Sequence, residues 1–123
     1  MHHIPWHWHT SYDSIDVYID KKYRPGSCQY NSVLDHERQH VVVFLDTLDQ
    51  AVPGIELRLR NTVKAQDSVI TDDQKLGIKI LQARIEKVLK PLMRKINKRL
   101  DVQNGAFDTV KNYKREQKNC LTW

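Results

Sequence analysis

Apolar and polar residues alternate from Ser14 to Asp20: Ile15, Val17 and Ile19 fall on one side, Asp16, Tyr18 and Asp20 on the other. A period of two predicts a half-buried strand. Arg24-Pro25-Gly26-Ser27 follows and reads as a turn. The period then becomes helical. Leu34, Val41, Leu45, Leu48 and Val52 form an apolar stripe; Asn31 or Ser32 can cap it, Asp35 falls in its first turn, and Pro53-Gly54 should stop it. A looser pattern at Ile55, Leu59, Val63 and Val69 predicts a second helix over residues 55–70. Thr71, three residues before Gln74, has the spacing of a capping box and opens a third. Its stripe runs through Leu76, Ile78, Leu81, Ile85, Val88, Leu92, Ile96 and Leu100 and should kink or split at Pro91. An Asn104-Gly105 turn then leads to a short last helix over residues 108–118. The expected fold is α+β and mostly α, with a short N-terminal strand or hairpin and about four helices. Residues 1–13 read as an irregular arm and residues 14–123 as one domain.

Composition narrows the class. The 123 residues are 40% hydrophobic and 28% charged, which suits one globular domain with a modest core. The longest apolar run, residues 41–45, is far short of the roughly 20 residues of a membrane span. The N-terminus has His and Trp where a leader peptide needs a charged and then an apolar region. The chain therefore works in the cytosol or follows a removed leader. Its net charge is +5 and its isoelectric point is near 9.3. The excess is concentrated in Arg84, Lys87, Lys90, Arg94, Lys95, Lys98 and Arg99, against Glu86 alone. Lys87, Lys90, Arg94 and Lys98 share a helix face, expected to be a solvated face. No aromatic residues interleave with it, so nucleic acid is not an expected partner. His2, His3, His7 and His9, with Trp6 and Trp8, belong to the arm. They could bind metal by composition alone.

One motif names a chemistry. His36-Glu37-Arg38-Gln39-His40 is an H-E-x-x-H sequence within the first predicted helix. Two histidines four apart share a helix face and can grip one ion. Glu37 lies between them and the apolar stripe, placed to act as a base on water. Val33, Val43 and Phe44 flank the pair with apolar surface, as a cleft requires. A catalytic zinc usually takes three protein ligands, so one is missing. Asp46 occupies the tenth position after His36, but Val43 stands where a chain-turning glycine is needed. On an unbroken helix Asp46 points about 80° away from His36. Glu56 would serve only if the second helix folded back against the first. The tail offers Asp108, Tyr113 and Glu116.

The two cysteines bear on that choice. Cys28 lies just before the motif helix and Cys120 just after the last one, both in polar segments. They are either two separate thiols or one disulfide formed in an oxidising compartment. A disulfide would tether residues 108–118 beside the motif and bring the tail acids within reach. Asp108 is then the first choice of third ligand, with Tyr113 and Glu116 its rivals.

The block Ser27-Cys28, then Val33-Leu34-Asp35-His36-Glu37-Arg38-Gln39-His40-Val41, preceded by Val17-Tyr18-Ile19, resembles a bacterial family of uncharacterised secreted or periplasmic proteins described as zinc-dependent proteases. The tail Phe107-Asp108-Thr109, Tyr113, Gln117 and Cys120 is similar to its C-terminal block. Some relatives carry His-Gly where this chain has Tyr113-Lys114, which removes a tail histidine as ligand here. The resemblance implies a removed leader peptide, a periplasmic or secreted location, and a minimal zincin-like domain with the motif helix central. In zincin-like proteases an edge strand holds the substrate backbone by strand addition, and residues 15–19 are the candidate.

The expected function is a zinc-dependent metallohydrolase outside the cytoplasm, a peptidase or cell-wall amidase. His36, His40 and Asp108 would hold Zn2+ and Glu37 would activate water. Its substrate would be a peptide or protein, including cell-wall peptide. So small a chain leaves little for specificity pockets, so the expected activity is either narrow or dependent on a partner protein. The alternative is a non-catalytic periplasmic binding or assembly module with a structural or vestigial metal site.

Overall fold

Ser27, rather than Asn31 or Ser32, caps the motif helix. In a computed structural model that describes the backbone of residues 2–6 and all of residues 14–123, Tyr30 N–H donates to Ser27 Oγ at 3.1 Å and Asn31 N–H to the Ser27 carbonyl at 3.0 Å. These are the cap bond and the first helical bond. The preceding turn is as expected. Ser27 N–H bonds back to the Arg24 carbonyl at 3.0 Å, and Gly26 sits at φ +80°. Proline at the second position and a left-handed glycine at the third are the pattern of a type II turn. Only glycine takes that φ without strain.

The fold is mostly helical: β1 (His2–Trp6), β2 (Ile15–Ile19), α1 (Cys28–Ala65), α2 (Gln74–Phe107) and α3 (Val110–Gln117). β1 pairs antiparallel with β2, with His2 opposite Ile19 and Trp6 opposite Ile15. Part of the expected irregular arm is thus a strand. The alternation in β2 holds, with Val17 and Ile19 buried and Tyr18 exposed.

Among the described residues there are three helices rather than about four. Pro53-Gly54 does not stop α1, which takes in the expected second helix. The physical reason is visible in burial. Leu48, Ala51, Ile55, Leu59, Thr62 and Gln66 are all at least half-buried, at helical spacing straight through the proline. A proline removes one backbone bond, and burial along the continuing face offsets that loss. α2 carries Pro91 in the same way, and Asn104-Gly105 lies inside it instead of forming a turn. Its cap is Asp73, whose Oδ1 accepts from Lys75 and Leu76 N–H at 2.9 and 3.2 Å. Thr71, the expected cap, bonds Asp73 N–H instead.

The chain divides into two compact units, Met1–Phe44 with Gln103–Trp123, and Leu45–Val102. The first buries Val17, Ile19, Leu34 and Val41, and also His36. Its tail is fastened to the start of α1. Cys28 and Cys120 form a disulfide, Gln29 Nε2 donates to the Thr122 carbonyl at 2.6 Å, and the Tyr23 and Trp123 rings lie 5.8 Å apart. The second unit buries Thr47, Ile96 and Leu100. Arg99 bonds Gln50 Oε1 at 2.6 Å and Arg84 bonds the Asp67 carbonyl at 2.9 Å.

The disulfide spans a sequence separation of 92 residues, and closing so long a loop restricts the unfolded chain by about 4–5 kcal/mol. Urea denaturation with and without reductant should show a loss approaching that size. Equal midpoints would show that the tether contributes nothing.

Candidate metal centre

Three donors converge in the first unit. His36 and His40, one turn apart on α1, point their Nε2 atoms at each other, 3.1 Å apart. Asp108 Oδ1 lies 3.0 Å from His36 Nε2 and 2.9 Å from His40 Nε2. Among the described residues these three form the group that can hold a metal ion. Donors about 2.0–2.1 Å from a tetrahedral ion stand roughly 3.3 Å apart, and on an octahedral face roughly 3.0 Å apart. The observed triangle fits both.

Asp108 is held by the ends of two helices. α2 finishes at Phe107, and Asn112 Nδ2 satisfies its last carbonyls, donating to Ala106 at 3.0 Å and Phe107 at 3.2 Å. Thr109 caps α3, its side chain accepting from Asn112 N–H at 3.2 Å. The aspartate sits between these two caps, so its backbone is fixed on both sides. Tyr113, one turn into α3, donates its hydroxyl to Asp108 Oδ1 at 2.9 Å.

The other nitrogen of each histidine is occupied. His36 Nδ1 faces Glu116 Oε1 and Oε2 at 3.1 and 3.0 Å. His40 Nδ1 faces Asn104 Oδ1 at 2.9 Å. Both partners are acceptors, so each Nδ1 carries the hydrogen and each Nε2 is left with a lone pair. These tautomers follow from the hydrogen-bond pattern. Two lone pairs and a carboxylate oxygen then crowd within 3.1 Å. Such an arrangement calls for a positive charge in its midst, either a proton or a metal ion.

The electrostatics agree. Burial, the largest influence, pulls the His36 pKa down, but hydrogen bonds to Glu116 and Asp108 and the charges of Glu116 and Glu37 outweigh it, so the pKa is raised. Burial likewise pushes Asp108 up, and bonds from His36, Tyr113 and His40 outweigh that to hold its carboxyl below the usual range. Tyr113 is pushed up to about 12, by burial and then by its bond to Asp108. Its phenol stays protonated at neutral pH and remains a donor.

Glu37 follows His36 on α1 and is half-buried. It lines a cavity of about 60 Å³ with His36, Tyr113, Glu116 and Trp123, enough space for water. The side chain of Asp108 is 45% exposed, so the donors open to solvent on one side.

Of the tail acids weighed as ligands, Asp108 joins both Nε2 atoms, while Glu116 sits behind His36. Tyr113 reaches Asp108 rather than either Nε2. Asp46 accepts from Gln50 at 2.8 Å and is not in the donor group; nor is Glu56. Asn104, behind His40, reads in the sequence only as a turn residue. Its only signal is helical phase: it lies four residues before Asp108, on a helix that the sequence suggests should already have turned. The side chains of His2 and His3, and all of His7 and His9, lie outside the described residues. No protein family, curated protein or solved structure matches the chain.

Two predictions follow from this geometry. Glu116→Gln and Asn104→Ala should each weaken binding of a divalent metal ion about 10- to 100-fold, measured by chelator competition. Unchanged affinity would deny both residues an orienting role. The second concerns the metal-free protein. The raised His36 pKa gives stability that is full below about 6.5 and lost as pH rises through the folded value. The lowered Asp108 pKa gives stability present above about 3.8 and lost as pH falls through the folded value. The Tm difference between wild type and Asp108→Asn should therefore be widest between about pH 4 and 6.5 and narrow on both sides. A difference flat with pH would contradict the pairing.

Proposed function

We propose that the chain is a zinc-dependent hydrolase that cleaves peptide or related amide bonds outside the cytoplasm, on a minimal zincin-like domain. One observation carries this reading: His36, His40 and Asp108 present three donors to one point, while Glu37 shares a small cavity with His36 and Tyr113. A structural zinc site usually has four protein ligands, whereas three with solvent access leave a position for substrate. Zinc held there supplies Lewis acidity and brings the ionisation of water into the neutral range.

The chain's own groups do the rest. Glu37 accepts a proton from the attacking water as its oxygen bonds to the carbonyl carbon. The C–N bond then breaks and Glu37 returns that proton to the leaving amine nitrogen. Glu116 and Asn104 fix both imidazoles through Nδ1. The Tyr113 hydroxyl holds Asp108. β2 is a candidate for binding an extended substrate backbone by strand addition. The disulfide supports an oxidising compartment, and no described helix is long and apolar enough to cross a membrane. The resemblance to secreted zinc-dependent proteases points the same way.

Two histidines and a carboxylate also hold iron(II) in oxygenases. The neighbouring glutamate favours hydrolysis, and elemental analysis decides the metal. Glu37→Gln should keep about one zinc per chain while hydrolysis of a peptide library falls by 10²-fold or more. A variant as active as wild type would remove Glu37 from the chemistry. Zinc at one per chain with no hydrolysis by wild type would favour the non-catalytic module.

A further inference from the structure

The second unit holds a groove that the metal centre does not use. It encloses about 700 Å³, within the range of ligand sites. Its floor includes Ile55 from α1 and Val88, Leu92 and Ile96 from α2. Along its edges stand Arg58 from α1 and Lys87, Lys95 and Arg99 from α2, and no carboxylate lines it. None of these four cations forms an ion pair with a carboxylate among the described residues. The basic stripe expected from the sequence contributes only Lys87; Lys90, Arg94 and Lys98 are exposed elsewhere on α2.

We propose that this groove binds an amphipathic α-helix of a partner protein, with apolar residues on one face and acidic residues along its flanks. The distribution of charge selects this occupant. Lys87 to Arg99 spans about 18 Å of α2 at 1.5 Å per residue, and Arg58 adds a cation from the other wall. A single-headed amphiphile would need its cations gathered at one end. A single-stranded nucleic acid would use aromatic stacking surfaces, and the lining has none. A second copy of this chain, at net charge +5, would bring like charges together. An acidic helix matches both the aliphatic floor and the spread of charge, and completes a three-helix packing.

The test is titration of the full-length protein with a fluorescent designed peptide of about 16 residues, leucines on one face and glutamates on its flanks. A scrambled peptide of the same composition is the control. The designed peptide should bind saturably and the scrambled one at least tenfold more weakly. The double variant Arg58→Glu/Lys95→Glu should lose at least tenfold in affinity. Lys79→Glu/Lys98→Glu, with the same charge change on exposed positions outside the groove, should stay within about threefold. Circular dichroism checks that both variants remain folded, and His36→Ala should bind the peptide normally, which separates this site from the metal centre. Equal loss in both variants, or equal binding of both peptides, would overturn the proposal. So would decanoate or an oligothymidine binding the groove in place of the peptide. A dimer in sedimentation that Arg58→Glu/Lys95→Glu abolishes would assign the groove to a second copy instead.

Discussion

The first unit is organised around one oxygen atom. Asp108 Oδ1 lies within 3.0 Å of both histidine Nε2 atoms and of the Tyr113 hydroxyl. Only the phenol is a donor whose hydrogen is assured. The imidazoles must either be protonated or share a cation with the carboxylate, because each has already committed its Nδ1 hydrogen outward. Burial of His36 sharpens the conflict: at 4% exposure it has little water to turn to. A bound cation resolves it, and the raised His36 pKa is the same demand met by a proton.

That constraint explains the shape of the surrounding chain. Asp108 is far from the motif in sequence, and ordering it there costs chain entropy. The disulfide between Cys28 and Cys120 offsets part of that cost, and the bonds of Asn112 and Thr109 fix the junction that carries the aspartate. α3 then supplies Tyr113 and Glu116, four and one residues short of Gln117, on the face turned toward His36. The two donors on α1 are rigidly spaced by the helix itself. The third depends on the tail being held.

Some of this was legible in the sequence. His36, Glu37 and His40 stand out because helical periodicity brings positions four apart together. The β2 alternation and the Pro25-Gly26 turn are equally local. The disulfide could be weighed as one of two options, and with it the tail acids. Other features could not be read locally. Pro53 and Asn104-Gly105 are strong breaking signals, overridden by burial along faces whose partners are distant in sequence. Ser27 looked like part of the turn because the polar residues Gln29 and Asn31 hide where the helix begins. Asn104-Gly105 has the pattern of a turn, which gives Asn104 no reason to face His40. The groove was invisible because its cations come from two helices and only one of them belongs to the obvious basic stripe.

X-ray absorption spectroscopy of the zinc-loaded protein tests the metal centre most directly. The spectrum should show low-coordinate zinc with two imidazoles and oxygen at about 2.0–2.1 Å and no sulfur. The imidazole scattering should halve in His36→Ala and in His40→Ala. Zinc bound only through oxygen, or an imidazole count unchanged in both variants, would place the metal elsewhere and contradict a centre built on His36, His40 and Asp108.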